Sequence, residues 1–220
     1  MFGCYSKFGN AAMKKSLDDQ KKTSKNTIKN IVSSQSSSSQ VLVLLSGGLD
    51  SLACLNYYLD RNYSTIALFV DYNQASRKQE SKAVKKICGH YKIPLITVDI
   101  KGINKTENGY IQGRNAFLLY TALLKFNLPK GIISIGIHAS SDYSDCSKFF
   151  ISRIQETFDI YTQGRIRIDA PFVNWSKGEI WQYSKDNNIP VDLAYSCELG
   201  LKQPCGICLS CIDLEALNAC

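Results

Sequence analysis

The stretch VLVLLSGGLDSLACL, Val41 to Leu55, constrains the fold more than any other part of the chain. Its apolar start has the length and composition of a buried strand, the pattern breaks at Ser46-Gly47-Gly48, and a helical pattern follows from Ser51. A strand that passes into a helix through paired glycines sits where open α/β sheets bind ligands. Glycines there let the backbone approach an anion and take up conformations closed to other residues. The amides of the next helical turn point at the same place, and the helix dipole favours negative charge. A plainer alternative is a tight turn in which the glycines only permit the bend and Asp50 caps the helix.

Downstream, short apolar runs alternate with helical patterns. Val41 to Leu45, Thr65 to Asp71, Leu95 to Asp99, Ile132 to Gly136 and, with weaker alternation, Arg165 to Asp169 read as strands. Ser51 to Leu59, Ser76 to Tyr91, Arg114 to Phe126, Cys146 to Tyr161 and Ser176 to Asn187 read as helices, the last opening with Ser176 and Glu179 in a capping box. This alternation predicts an α/β fold, a Rossmann-like parallel sheet with helices on both faces. We divide the chain into a basic, serine-rich mobile leader (1–39), the α/β domain (40–190) and a small cysteine-rich segment (191–220).

Charge bears on function through its location. The net charge is +7, but residues 1–40 hold seven lysines against two aspartates, so five of the seven charges lie in the leader. A surface that reads nucleic acid would keep its basic excess in the folded part. No apolar run approaches the roughly 20 residues that cross a bilayer, and the first residues lack the pattern of a secretory signal. The expectation is a cytoplasmic protein with no membrane partner.

Nine cysteines could suggest disulfides, but the number is odd and Cys197, Cys205, Cys208 and Cys211 form C-x7-C-x2-C-x2-C. That spacing suits a closed four-thiolate zinc site in a reducing compartment. Iron–sulfur ligation uses similar spacing, though the following Cys-Pro of a bacterial ferredoxin is missing. Cys54 and Cys88, on helical faces, read as small buried residues.

Ser46-Gly47-Gly48-Leu49-Asp50-Ser51 lacks the lysine of a P-loop and the spacing of a Rossmann fingerprint. It resembles the S-G-G-x-D-S loop of the PP-loop ATP pyrophosphatases, which split ATP into AMP and pyrophosphate. Together with the four cysteines it resembles the QueC family, the 7-cyano-7-deazaguanine synthases. VDYNQASRKQE (70–80) is similar to that family's D-Y-G-Q-x-x-R/H segment, with Asn73 in place of glycine; GRNAFLL (113–119), IGIHASSDYSDC (135–146) and APFVNWSKGEIW (170–181) follow in the family's order. The resemblance covers about residues 40–212.

What the resemblance implies is a C–N ligase that activates 7-carboxy-7-deazaguanine with ATP, admits ammonia, and converts the amide to a nitrile with a second ATP. It assigns Ser46, Gly47, Gly48, Leu49, Asp50 and Ser51 to the nucleotide, with Asp50 helping to hold Mg²⁺. Asp50, Arg114 and Lys177 become the catalytic candidates, and Asp71, Arg114, Asn115, Asp142 and Asp145 the substrate-binding ones. The four cysteines would hold a structural Zn²⁺, and the family suggests a homodimer. The loop from Gly102 to Gln112 is short for the family, the Tyr143 region is shortened too, and Ile212-Asp213-Leu214 replaces a usual arginine. A second reading keeps adenylation but presents a protein or peptide amine. Further alternatives are a PP-loop tRNA thiolase and a zinc-stabilised module that senses ATP without turnover.

Overall fold

A computed structural model describes residues 39–102, 111–141 and 143–218. The expected leader, but for Ser39, and the substrate candidate Asp142 lie outside the described residues. Five strands, β1 (Gln40–Leu44), β2 (Ser64–Asp71), β3 (Leu95–Asp99), β4 (Gly131–Ile135) and β5 (Ile166–Asp169), form one sheet in the order β3-β2-β1-β4-β5. Every neighbouring pair is parallel, with Val43 opposite Ala67 on one side and Ser134 on the other. The crossovers carry α1 (Leu49–Leu59), α2 (Arg77–Tyr91), α3 (Arg114–Lys125) and α4 (Lys148–Thr162); α5 (Lys177–Asp186), a 3₁₀ turn (Val191–Leu193) and α6 (Leu209–Asn218) follow.

Period-two alternation along β1 explains the layering. Val41, Val43 and Leu45 join a core with Leu52 and Leu55 of α1, Val84 and Ile87 of α2, and Phe172 and Ile180. Leu42 and Leu44 face the opposite way, into a second core with Leu119 and Ala122 of α3 and Phe158 of α4. The strands are therefore apolar on both faces, as the sequence predicts. Boundaries shift where capping chemistry decides them: α4 starts at Lys148 rather than Cys146 because the Ser147 hydroxyl accepts from the Phe150 amide at 3.2 Å.

Strand order reverses direction at β1, so the loops leaving β1 and β4 diverge and open a crevice at their carboxyl ends. Gly136, just past β4, lets that strand end close against α1: a β-carbon there would lie 2.8 Å from the Asp50 carbonyl oxygen. Gly136→Ala is expected to cost about 1–3 kcal/mol in urea unfolding, as overpacking does. Gly89→Ala, inside α2 with nothing within 4 Å of the added carbon, should instead stabilise by about 0.5–1 kcal/mol; the opposite ranking would contradict the packing described.

Candidate active site and metal centre

The glycine loop leaves β1 and opens α1. Gly47 adopts φ +88°, and a β-carbon on it would sit 3.1 Å from both Ala83 Cβ and the Glu80 carbonyl, so backbone and packing each require glycine. Gly48 is extended (φ −81°, ψ 167°) and caps α1 with no side-chain bond. A β-carbon on Gly48 would meet only ordinary van der Waals contacts, Ser46 Oγ at 3.6 Å and Ser196 Oγ and the Tyr195 carbonyl at 3.8 Å. Protein packing therefore does not dictate glycine at 48, whereas close approach of a ligand to the backbone would.

Hydroxyls line this loop. Ser51 donates to the Gly48 carbonyl at 2.9 Å, Ser46 donates to Ser51 Oγ at 3.1 Å, and the Gly48 amide reaches Ser46 Oγ at 3.4 Å. Leu49 turns its side chain into the core, so only its backbone remains for a ligand.

Asp50 does not cap its own helix. Lys177 Nζ donates to both of its carboxylate oxygens, at 2.6 and 2.5 Å. Lys177 is the first residue of α5, whose start is fixed by the predicted capping box: Ser176 Oγ accepts from the Glu179 amide and Glu179 from the Ser176 amide. The Lys177 amide also donates to Ser140 Oγ at 2.9 Å, anchoring α5 to the loop after β4. Two helix N-termini and one ammonium thus converge around a single carboxylate, a setting that attracts further negative charge.

His138, on the same loop, was not among the residues singled out by sequence. Its Nε2 lies 3.8 Å from Asp50 Oδ2, and its buried Nδ1 has no hydrogen-bond partner among the described residues. Burial holds the imidazole below its usual range; the Asp50 carboxylate opposes that and the Lys177 ammonium adds to it. A lone histidine two residues past a glycine at the end of a central strand was the available signal.

The remaining candidates gather around the start of α3. Asn115 is buried, its amide reaches Asp145 Oδ2 at 3.3 Å, and its side chain donates to the Asp145 carbonyl at 3.1 Å. Arg114 faces Tyr72 and Glu80, and its charge favours ionisation of both. Burial nevertheless keeps the Glu80 carboxyl above its usual range, although Ser76 and Gln74 donate to it. Asp71 turns one oxygen back to accept the Asn73 amide at 2.9 Å. Asn73 itself has φ +67°, which explains why asparagine can stand where the resembling family has glycine. Among the described residues no hydrogen bond joins this group to the Asp50–Lys177 pair.

The four cysteines come together. Their sulfurs all lie within 4.8 Å of one another, with Cys205 and Cys211 3.8 Å apart. Tetrahedral thiolates about 2.3 Å from one zinc ion stand roughly 3.8 Å apart, so the set fits a single metal ion. The Cys208 amide donates to Cys205 Sγ at 3.3 Å, and Cys211 is carried by α6, a helix the sequence reading did not anticipate. The segment entering the cluster touches the glycine loop: the Tyr195 amide donates to the Gly47 carbonyl at 2.8 Å. Cys54 and Cys88 are buried as expected, and burial pushes their thiols up to about 12 and about 11.

A parallel sheet with a glycine loop at its switch point and a four-cysteine cluster that could hold a metal ion, joined to that loop through Tyr195, defines an α/β protein of the PP-loop type. The chain belongs to the QueC family: the family model for queuosine biosynthesis protein QueC matches residues 40–108 and 101–218. A 7-cyano-7-deazaguanine synthase of Acetivibrio thermocellus is 30% identical over 200 residues, 79% of this chain and 90% of the relative. Counterparts of the same name in Picrophilus torridus (31% over 202 residues, 79% and 84%) and Desulfitobacterium hafniense (32% over 200 residues, 78% and 85%) are equally close. The solved U34-tRNA thiolase NcsA of Methanococcus maripaludis overlaps 84% of this chain and 66% of its own at 18% identity and a TM-score of 0.49, too loose a likeness to argue from. Among the described residues no helix is long and apolar enough to cross a membrane.

The knuckle predicts a measurable dependence on metal. Chelation, or Cys208→Ser, should release one ion per chain and lower the melting temperature by roughly 10 °C, because a bound metal stabilises only the folded state. Elemental analysis with a thermal melt checks this; a metal-free chain that melts unchanged would contradict it.

Proposed function

We propose that this protein is an ATP-dependent C–N ligase of the 7-cyano-7-deazaguanine synthase type. The observation that carries the reading is the Asp50–Lys177 pair at the start of α1, two residues past Gly48, at the switch point of a QueC-family sheet. The β- and γ-phosphates would lie over Gly48, where the first amides of α1 and the hydroxyls of Ser46 and Ser51 donate to them.

In the first half-reaction a carboxylate oxygen of 7-carboxy-7-deazaguanine attacks the α-phosphorus, and the bond to the bridging oxygen breaks with loss of pyrophosphate. Ammonia then attacks the acyl carbon; AMP leaves, a proton is lost, and an amide results. The amide oxygen then attacks the α-phosphorus of a second ATP, pyrophosphate leaves as the bond to the bridging oxygen breaks, and loss of AMP and two protons gives the nitrile. Lys177 is placed to hold the α-phosphate as charge develops on it, exchanging part of its bond to Asp50 for the phosphoryl oxygens.

Asp50 keeps free lone pairs beyond those used by Lys177, so the residue fits a hard cation. Held there, Mg²⁺ would supply charge neutralisation for the phosphates. The four thiolates fit zinc in a structural role, since a closed set of four ligands leaves no position for a substrate. Arg114, Asn115, Asp145 and Asp71 are assigned to the deazaguanine end, where Arg114 would pair with the substrate carboxylate before activation, exchanging part of its interaction with Tyr72 and Glu80.

The test is to incubate the protein with Mg-ATP, 7-carboxy-7-deazaguanine and ammonium and follow AMP and product masses. AMP, pyrophosphate and a nitrile are expected, with Asp50→Asn slowing turnover about a hundredfold or more. A conjugate formed only when a protein amine is supplied, or no AMP from the acid, would overturn the assignment.

A further inference from the structure

The family resemblance of the phosphate site ends with the loop itself, yet the structure brings a further hydroxyl to it from a distant part of the chain. We propose that Ser196 is a phosphate-binding residue of the nucleotide site, delivered to Gly48 by the metal-bound C-terminal segment. The inference rests on the reading of the glycine loop as a triphosphate site.

Three observations converge. Ser46 Oγ and Ser196 Oγ both approach Gly48 on the side where a β-carbon would stand, 3.6 and 3.8 Å from it. The Ser196 hydroxyl is half-buried and, among the described residues, no hydrogen bond engages it, unlike Ser46 and Ser51, which bond to each other and to the loop. Its backbone is fixed from both sides. One residue earlier, the Tyr195 amide donates to the Gly47 carbonyl at 2.8 Å; one residue later, Cys197 belongs to the four-thiolate cluster.

Further along, a β-carbon on Gly200 would collide with the Ala75 carbonyl of the β2–α2 connection, and Tyr195 Oη donates to the Leu201 carbonyl at 2.7 Å, so the turn is packed against that connection and closed on itself. A serine held this rigidly loses little conformational entropy when its hydroxyl donates to an anion. The metal's part in this is positional: it holds Cys197, and Cys197 holds Ser196.

The experiment is calorimetric titration of metal-loaded full-length protein with magnesium pyrophosphate and, separately, adenosine, together with metal content and melting temperature. Ser196→Ala should weaken pyrophosphate binding roughly ten- to a hundredfold, as loss of a hydrogen bond to a charged group does, and leave adenosine binding and metal content unchanged. The isosteric pair Ser196→Thr and Ser196→Val separates hydroxyl from shape: Thr should bind pyrophosphate as the wild type does and Val should behave as Ala. Equal pyrophosphate affinity in wild type, Ala and Val overturns the proposal while leaving the loop assignment intact. A wild type that binds no pyrophosphate overturns the loop assignment and this proposal with it.

Discussion

The Asp50–Lys177 ion pair is the interaction on which the crevice depends. It spans 127 residues of sequence and joins the first turns of α1 and α5, whose positive ends would otherwise face each other across the mouth of the sheet. Neither partner is fully exposed (24% and 17% for the two side chains), so solvent screens the pair less than a surface bridge. The carboxylate and the ammonium offset each other, burial favours the neutral form of the nearby imidazole, and the two helix N-termini add the partial positive charge of their amides.

Around that pair the fold makes each neighbour do two things. Gly47 permits a left-handed turn and also lets α2 approach the loop; Gly136 ends β4 and lets the same strand close on α1. The C-terminal knuckle, which looks peripheral in sequence, lies on the loop through Tyr195 and brings Ser196 beside Gly48. The cysteine cluster and the glycine loop are thus mechanically joined, because the segment that supplies Cys197 also supplies the hydrogen bond to Gly47.

Much of the fold was legible because its signals are local. Strand runs, the capping box of α5 and the C-x2-C turns are decided within a few residues, and among the described residues all five strands and five of the six α-helices fell where the periodicity placed them. α6 escaped because it grows out of the cysteine cluster, whose composition masks helical periodicity. The residues of the site were legible only where a motif carried them. Asp50 and Lys177 were named, but not their contact, which no local pattern encodes. His138 and Ser196 were missed for the same reason: each matters through what tertiary folding sets beside it. Asn115 and Asp145, named separately as substrate candidates, are seen to bond to each other, so one orients the other.

A double-mutant cycle on Asp50 and Lys177, read in the rate of AMP formation from ATP and 7-carboxy-7-deazaguanine, tests the account most directly. If the two side chains act as one unit, Asp50→Asn combined with Lys177→Met should be no slower than the worse single variant, the non-additivity expected of coupled groups. Losses that simply multiply, or single variants that form AMP as the wild type does, would contradict it.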